Sequence, residues 1–232
     1  MKLVLLITLA AHGSWAQTPA PDPAQVEKED RVAAQSFEVA ISKLDPLVRG
    51  KNGKLGEEAL TLRLLETYAK LAAVQFRLAH SPRASGKDKE AFTRSLGAAQ
   101  RWASQYVTKF PRGEGVARAI YLRAKARSDA ASDVASIADY RYLIDQYPTS
   151  QDRVSAHFAL YDLLVKKQDF RTAITYHRKL GAKPEEPYFS LVVDQLAFAH
   201  FSLNEIPQAL KLLESELTHI PETEAMSTPE VM

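Results

Sequence analysis

The chain has 232 residues, 46% hydrophobic and 25% charged, a composition typical of a globular protein large enough to bury a core. With 30 lysines and arginines against 28 aspartates and glutamates, the formal net charge is only +2, which argues against nucleic-acid binding. Cysteine is absent, which excludes disulfides and a lipid-carrying cysteine anchor.

The first residues have the pattern of a secretory signal peptide. Lys2 precedes an apolar run over residues 3–11, and Ser14 and Ala16 are small residues at positions −3 and −1 of a cleavage site. We therefore predict a signal peptide over residues 1–16, cut between Ala16 and Gln17. The apolar run is shorter than the roughly 20 residues that span a bilayer. The mature protein is expected to be periplasmic or secreted, with no transmembrane segment, and the lack of disulfides favours a bacterial periplasm.

After the cleavage site, residues 17–25 contain three prolines and are predicted to form an extended linker. From residue 26 onward the pattern is helical, and alternating stretches typical of strands are absent. An N-terminal helix is predicted over residues 26–54, ending near Pro46 or Gly50. Its apolar face consists of Ala33, Phe37, Ala40, Leu44 and Leu47. Two long helices are expected over residues 55–80 and 88–109, followed by shorter ones.

Two kinds of residue recur with a period of 36–37 from Ala99 onward. Small residues expected in the middle of every second helix are Ala99, Ser136, Ala173 and Ala209. Prolines that follow those helices are Pro111, Pro148, Pro184 and Pro221. A small residue lets two helix backbones approach closely, and proline prevents a helix from continuing. We predict about four stacked helical hairpins over residues 55–221, followed by a flexible tail over residues 222–232.

Three segments with this pattern resemble the tetratricopeptide repeat (TPR) family. They are "ASIADYRYLIDQYP" over residues 135–148, "KKQDFRTAITYHRKL" over residues 166–180, and "SLNEIPQALKLLESELTHIP" over residues 202–221. His177 stands where the family usually has a large aromatic residue. The longer period and the aromatic–proline stops are similar to those of bacterial outer-membrane assembly proteins and periplasmic cell-division coordinators. The resemblance implies an all-α fold: a right-handed α-solenoid of helix–turn–helix repeats, here with an extra N-terminal helix.

In proteins of this family the first helix of each repeat lines a concave groove that binds a partner peptide or helix. Projecting the repeat register implies this inward-facing set: Arg118, Tyr121, Lys125, Phe158, Asp162, Asp194, Phe198 and Phe201. Aromatic anchors flanked by single charges suit a recognition groove, because they provide a large contact area and fix orientation. The alternative is that Tyr121, Phe158 and Phe198 pack between repeats instead.

Catalytic motifs are absent from the sequence, including the metalloprotease, nucleophile-elbow and phosphate-loop patterns. Five histidines follow the signal peptide, and the closest pairing, His157 with His200, has no carboxylate at ligand spacing. We therefore expect no enzyme activity, no metal and no cofactor. The basic region Arg112–Arg127 has two interpretations, a solvated helix face or a site for a glycan or another anionic envelope polymer.

The last helix carries an apolar stripe, and the tail that follows is too short and polar to cap it. The stripe consists of Ile206, Leu210, Leu213, Leu217 and Ile220. One hypothesis is that the protein self-associates through this C-terminal helix. Together these patterns predict an exported, non-catalytic protein–protein interaction scaffold of the bacterial cell envelope, whose partners are envelope proteins. The alternative function is binding of an anionic envelope polymer.

Overall fold

The computed structural model describes residues 22–50 and 55–218, which form nine α-helices and no strand. The helices are α1 (Pro23–Gly50), α2 (Glu57–Ala79), α3 (Gly86–Lys109), α4 (Val116–Asp129), α5 (Asp133–Gln146), α6 (Arg153–Lys166), α7 (Phe170–Arg178), α8 (Phe189–Ser202) and α9 (Ile206–Leu217). The predicted all-α fold is confirmed. The predicted signal peptide, the tail and Pro221 lie outside the described residues.

Each helix packs mainly on its neighbours in sequence, which produces a stacked array. Helices α2 to α9 form four hairpins, α2/α3, α4/α5, α6/α7 and α8/α9, and α1 packs against α2 ahead of them. The first helices of successive hairpins also touch, α2 with α4 and α4 with α6. Contacts restricted to neighbouring hairpins define a helical repeat solenoid, so this prediction is confirmed as well.

The small residues of the repeat are all buried at helix–helix contacts. Ala99, Ser136, Ala173 and Ala209 are between 0% and 5% exposed. The Ser136 hydroxyl donates a hydrogen bond to the Ala124 carbonyl oxygen at 2.7 Å, so its polar atom is satisfied inside the core. The 36–37-residue period thus corresponds to a structural position where two backbones approach.

The proline stops hold for two hairpins and fail for a third. Helices α3 and α5 end directly before Phe110-Pro111 and Tyr147-Pro148, with the aromatic residue as the C-cap. Helix α7 ends at Arg178, well before Pro184, and Gly181 follows with φ of +66°. A left-handed glycine stops this helix earlier than proline would, which corrects the prediction that Pro184 ends it.

The N-terminal boundary also differs from the prediction. The sequence predicts an extended linker up to Gln25, but residues Pro23 to Gln25 form the first turn of α1. The Asp22 carboxylate accepts a hydrogen bond from the Ala24 N–H at 3.0 Å and so caps the helix. Proline is compatible with the first helical position because its missing N–H would have no partner there. Helix α1 runs through Pro46 and ends at Gly50, the second of the two predicted ends. Residues 51–54, the remainder of the predicted N-terminal segment, are outside the described residues.

The turn inside each of the last three hairpins repeats in atomic detail. One residue in each turn has a left-handed backbone: Ala131, Gln168 and Asn204, with φ of 56°, 60° and 60°. The next residue donates its N–H to a carbonyl five residues earlier, in the pairs Ser132–Arg127, Asp169–Leu164 and Glu205–His200. These bonds satisfy carbonyl groups that the helix end would leave free. Sequence analysis missed this marker, since of the three residues only Asn204 favours such a backbone.

Candidate functional site

A surface hollow of about 310 Å³ lies between α4 and α6, the first helices of the second and third hairpins. It is lined by Tyr121, Lys125, Ser128, Asp129, Tyr140, Ala159, Asp162, Leu163 and Lys166. Three residues of the predicted groove, Tyr121, Lys125 and Asp162, therefore meet here. Their helices place them together because successive first helices lie side by side in the solenoid.

The repeat register extends this surface to the last hairpin. Lys125, Asp162 and Phe198 occupy equivalent positions on α4, α6 and α8, and all three are solvent-exposed. The column thus changes from a cation to an anion to an aromatic ring along the array. A ligand that lies across the hairpins would meet these three groups in that order.

Asp162 is the unpaired charge of the column. The Lys125 ammonium lies 3.1 Å from the Asp129 carboxylate, and Lys166 lies 3.4 Å from Asp133. Within the described residues, Asp162 has no ion-pair or hydrogen-bond partner, and burial raises the pKa of its carboxyl. An exposed carboxylate without a partner in the protein can accept a hydrogen bond from an N–H donor that a ligand provides.

Tyr121 and Phe158 are only partly exposed, because each contributes to packing. The Tyr121 ring lies 6.0 Å from the Tyr140 ring, and the Phe158 ring lies 5.4 Å from the His177 ring and 6.2 Å from Tyr188. Tyr188 directly precedes α8, so Phe158 connects the third hairpin to the fourth. For these two residues the geometry fits the packing alternative better than a free groove anchor.

Arg118 joins three hairpins through its guanidinium group. Its Nε lies 3.2 Å from Glu66 on α2, and its Nη1 lies 2.6 Å from Asp152 at the start of α6. Both carboxylates favour the charged form and raise the pKa of Arg118, against the opposing effect of its burial. Its donors are engaged within the protein, so we assign Arg118 a stabilising role between hairpins.

In the last hairpin, Phe198 and Phe201 are 52% and 64% exposed. Phe198 packs edge-on against Phe170 at 6.3 Å between ring centroids, which holds its ring at the junction of α7 and α8. Asp194, also exposed, lies near Glu216 on α9. Burial and the Glu216 charge both raise the pKa of the Asp194 carboxyl. The two phenylalanines are therefore the most accessible aromatic residues of the predicted set.

The basic region Arg112–Arg127 is largely committed to carboxylates of the protein itself. Arg123 binds Asp139 through two hydrogen bonds, of 2.9 and 2.7 Å, and Arg127 binds the same carboxylate at 2.7 Å. Asp139 is only 5% exposed. Of the basic region, Arg123 and Arg127 are thus ion-paired to a buried carboxylate of α5 instead of forming a free solvated face. The sequence does not reveal Asp139 as the partner of these two arginines. Asp139 lies on α5, and only the turn between α4 and α5 brings it alongside them.

Three histidines of the array lie in two kinds of environment: His157 and His177 are buried between helices, and His200 is paired with a carboxylate. His157 and His177 are both 1% exposed, and their rings lie beside the Tyr176 backbone and the Gln195 side chain, respectively. Burial lowers the pKa of each to about 4. His200 instead binds Glu205 at 2.6 Å. Among residues 22–50 and 55–218, no group of three His, Asp or Glu side chains is arranged to hold a metal ion.

Comparison with solved structures identifies the fold. A Podosopora anserina protein, described as a kinesin light chain with nearly identical TPR-like repeats, matches with a TM-score of 0.54 and 13% identity, over 87% of this chain and 96% of that one. The MamA protein matches with a TM-score of 0.50 and 14% identity, over 90% of this chain and all of that one.

The fold is that of TPR-like repeat proteins. At these identities the likeness establishes the fold alone. No protein-family profile matches the sequence. No curated protein matches it either. Across residues 22–50 and 55–218, no helix of this TPR-like chain has both the length and the apolar character needed to cross a bilayer.

Proposed function

We propose that the protein is an exported, non-catalytic scaffold of the bacterial cell envelope that binds a segment of an envelope protein in its concave groove. The observation that carries this proposal is the exposed column of Lys125, Asp162 and Phe198 on the first helices of three successive hairpins. TPR-like architecture supports it, because stacked hairpins present an extended concave surface suited to elongated ligands.

The column also indicates which ligand fits. Asp162 has no partner within the described residues, so its carboxylate is available to a lysine or arginine side chain of a peptide. Phe198 and Phe201 offer apolar area to a neighbouring hydrophobic side chain. The ligand we propose is therefore an extended or helical segment with a basic residue followed by an apolar one.

Binding of a glycan or another anionic envelope polymer was the alternative function. The described structure gives it less support, because Arg118, Arg123 and Arg127 are paired with Glu66, Asp152 and Asp139. An anionic polymer would have to displace those carboxylates from the arginines. Breaking these ion pairs costs free energy, whereas binding to unpaired, solvent-exposed arginines would not.

The exported location rests on residues 1–16, which lie outside the described residues. Fractionation of the host cell and N-terminal sequencing of the purified protein would test it. We expect the mature protein in the periplasmic or secreted fraction, with Gln17 at its N-terminus. Recovery of an intact Met1 end from the cytosol would contradict export without affecting the groove.

The groove is tested by photo-crosslinking in the native host. A photoreactive phenylalanine replaces Phe198 in one strain and Val134, an exposed residue on α5, in a control strain. We expect a defined protein to be captured from position 198 and not from position 134. A synthetic peptide of the captured segment would then be titrated against purified protein.

In that titration, Phe198→Ala and Asp162→Lys are each expected to weaken binding about tenfold, while Val134→Ala has no effect. Unchanged affinity in both groove variants would overturn the groove as the binding site. Capture of peptidoglycan or another glycan, with no protein, would support the alternative function instead.

A further inference from the structure

Exposed apolar side chains are concentrated at the two ends of the array. On α1, Val32, Val39 and Leu47 are between 53% and 58% exposed, at helical spacing along one face. On α9 the exposed apolar residues are Ile206, Leu210, Leu213 and Leu217. Between α1 and α9, Phe76 on α2 and Val134 on α5 are exposed singly, while Leu191, Phe198 and Phe201 are exposed together on α8, where the two phenylalanines belong to the predicted groove. Several exposed apolar residues aligned on one helix face are typical of interaction surfaces, and single exposed residues are not.

The repeat register shows what the face of α9 lacks. Leu213 is equivalent to Ala103, Tyr140 and His177, which are between 0% and 2% exposed in the three preceding hairpins. Leu213 itself is 38% exposed, because no hairpin follows α9 within the described residues. The exposed surface of α9 thus has the apolar residues that pack between hairpins elsewhere in the array. A further helix with an apolar face would bury them.

The two ends also differ in the sign of their unpaired charges. Near the α9 face, Asp194, Glu214 and Glu216 have no basic partner in the part of the chain that the structure describes, and they outnumber Lys211, the lysine of α9. On the outer side of α1, Lys28 and Lys43 have no acidic partner in that part of the chain. The one carboxylate beside them, Glu29, has no basic partner among the described residues and accepts a hydrogen bond from Gln25, so the two lysines outnumber it.

Inside the array, ion pairs between hairpins are common. Asp133 on α5 pairs with Lys166 on α6, and Asp145 on α5 pairs with Lys179 just after α7. The two ends of the molecule therefore complement each other as the inner hairpins do, with apolar residues against apolar residues and lysines against carboxylates.

We propose that copies of this protein associate end to end, with the outer face of α1 of one copy packed on the α9 face of the next. Symmetric pairing of two α9 faces would bring carboxylates against carboxylates, which is unfavourable. Residues 219–232 contain three glutamates and no lysine or arginine, so their charge does not complement the α9 face either.

This contact joins two different surfaces, the α1 face of one copy and the α9 face of another. Each copy that is added still has a free face, so the contact produces a chain of copies instead of a closed dimer. The biological role of this assembly rests on the proposed function, since a chain of copies would present many grooves together. The contact shares Asp194 with the predicted groove set but uses none of Lys125, Asp162 and Phe198, the column that carries the proposed function. Groove binding and end-to-end assembly are therefore separate properties with separate tests.

Sedimentation velocity over a wide range of protein concentration tests the proposal. We expect the mean mass of the unaltered protein to rise beyond that of a dimer. Val39→Glu disables the α1 face and Leu210→Glu disables the α9 face, and both side chains are about half exposed, so folding should be preserved. Each variant alone should be monomeric. Val134→Glu, a matched charge introduced at an exposed position, should assemble like the unaltered protein.

Mixing the two disabled variants decides the arrangement. Val39→Glu keeps an intact α9 face and Leu210→Glu keeps an intact α1 face, so an equal mixture should form a dimer and nothing larger. Self-dimerisation of Val39→Glu alone would show symmetric α9 pairing and overturn the proposal. A monomer at every concentration of the unaltered protein would also overturn it. In either case, binding of the peptide captured at the groove still reports on the proposed function.

Discussion

Asp139 illustrates how one residue can hold two helices together. Its carboxylate accepts hydrogen bonds from both Arg123 and Arg127 and is almost fully removed from solvent. A buried carboxylate with two charged donors is well compensated, but each guanidinium depends on it in return. The cluster therefore couples the packing of α4 on α5 to a single side chain.

Replacing Asp139 with alanine is expected to destabilise the protein by about 3 kcal/mol, because both arginines lose their partner in a poorly hydrated site. Urea unfolding followed by circular dichroism measures this. Asp45→Ala is the matched control, since it removes a carboxylate that pairs with the largely exposed Arg49, and it should cost less than about 1 kcal/mol. Equal effects of the two substitutions would show that the Asp139 cluster contributes no more than a surface pair.

His157 and His177 give the third hairpin a dependence on pH. In the folded protein burial lowers the pKa of each from 6.5 to about 4, so folding favours the neutral rings. A group whose pKa is lowered by folding contributes its full stabilisation above its unfolded pKa. That contribution is lost as the pH falls from 6.5 towards 4, by at most about 1.4 kcal/mol per pH unit for each histidine.

We therefore expect the free energy of unfolding to decrease between pH 6.5 and pH 4 more steeply than in a variant without these two histidines. The repeat register provides the replacements: His157→Ile copies Ile120, and His177→Tyr copies Tyr140. Urea titrations at several pH values compare the two proteins. If the double variant keeps the same slope, other groups cause the pH dependence.

At the scale of helices and turns, the left-handed turn residues show a local conflict between sequence and fold. Ala131 and Gln168 have a backbone that side chains with a Cβ disfavour, yet the helix ends need it for their hydrogen bonds. Packing of the two helices of each hairpin stabilises these turns against that local preference.

Glycine at these turns should stabilise the protein. Ala131→Gly and Gln168→Gly are each expected to raise the free energy of unfolding by about 0.5–1 kcal/mol, because relief of the left-handed backbone exceeds the added flexibility of the unfolded chain. Thermal unfolding measures the change. The control is Ala124→Gly in the interior of α4, which should destabilise. Destabilisation by both turn variants would show that their side chains matter more than backbone strain.

At the scale of the whole molecule, stability should decrease towards the C-terminal end. Helix α9 buries Ala209 alone, whereas α4 buries residues on most of its length. An array whose repeats contact only their neighbours opens most easily at an uncovered end. In dilute solution we expect amide hydrogens of α9 to exchange at least about tenfold faster than those of α4 and α5. Uniform protection along the array would contradict this gradient.

Local patterns predicted most of the architecture. The helical period, the buried small residues at Ala99, Ser136, Ala173 and Ala209, and two of the proline stops follow from residues a few positions apart, so they are visible in sequence. The early end of α7 and the start of α1 at Pro23 were not predicted. Proline both starts and stops helices, and glycine ends a helix only at certain positions after it, so neither residue alone marks a boundary. For the candidate site, the register brought Tyr121, Lys125 and Asp162 to one hollow.

By itself, the sequence determined an all-α repeat array, since helix periodicity and helix breakers act over a single turn. The tertiary structure decided which charges and rings remain available. Arg118 is engaged by Glu66 and Asp152, and the ring of Phe158 is covered by His177 and Tyr188, while Asp162 and Phe198 stay open to solvent. These partners lie on other helices, and pairing over such separations depends on how the helices stack, which no local pattern encodes.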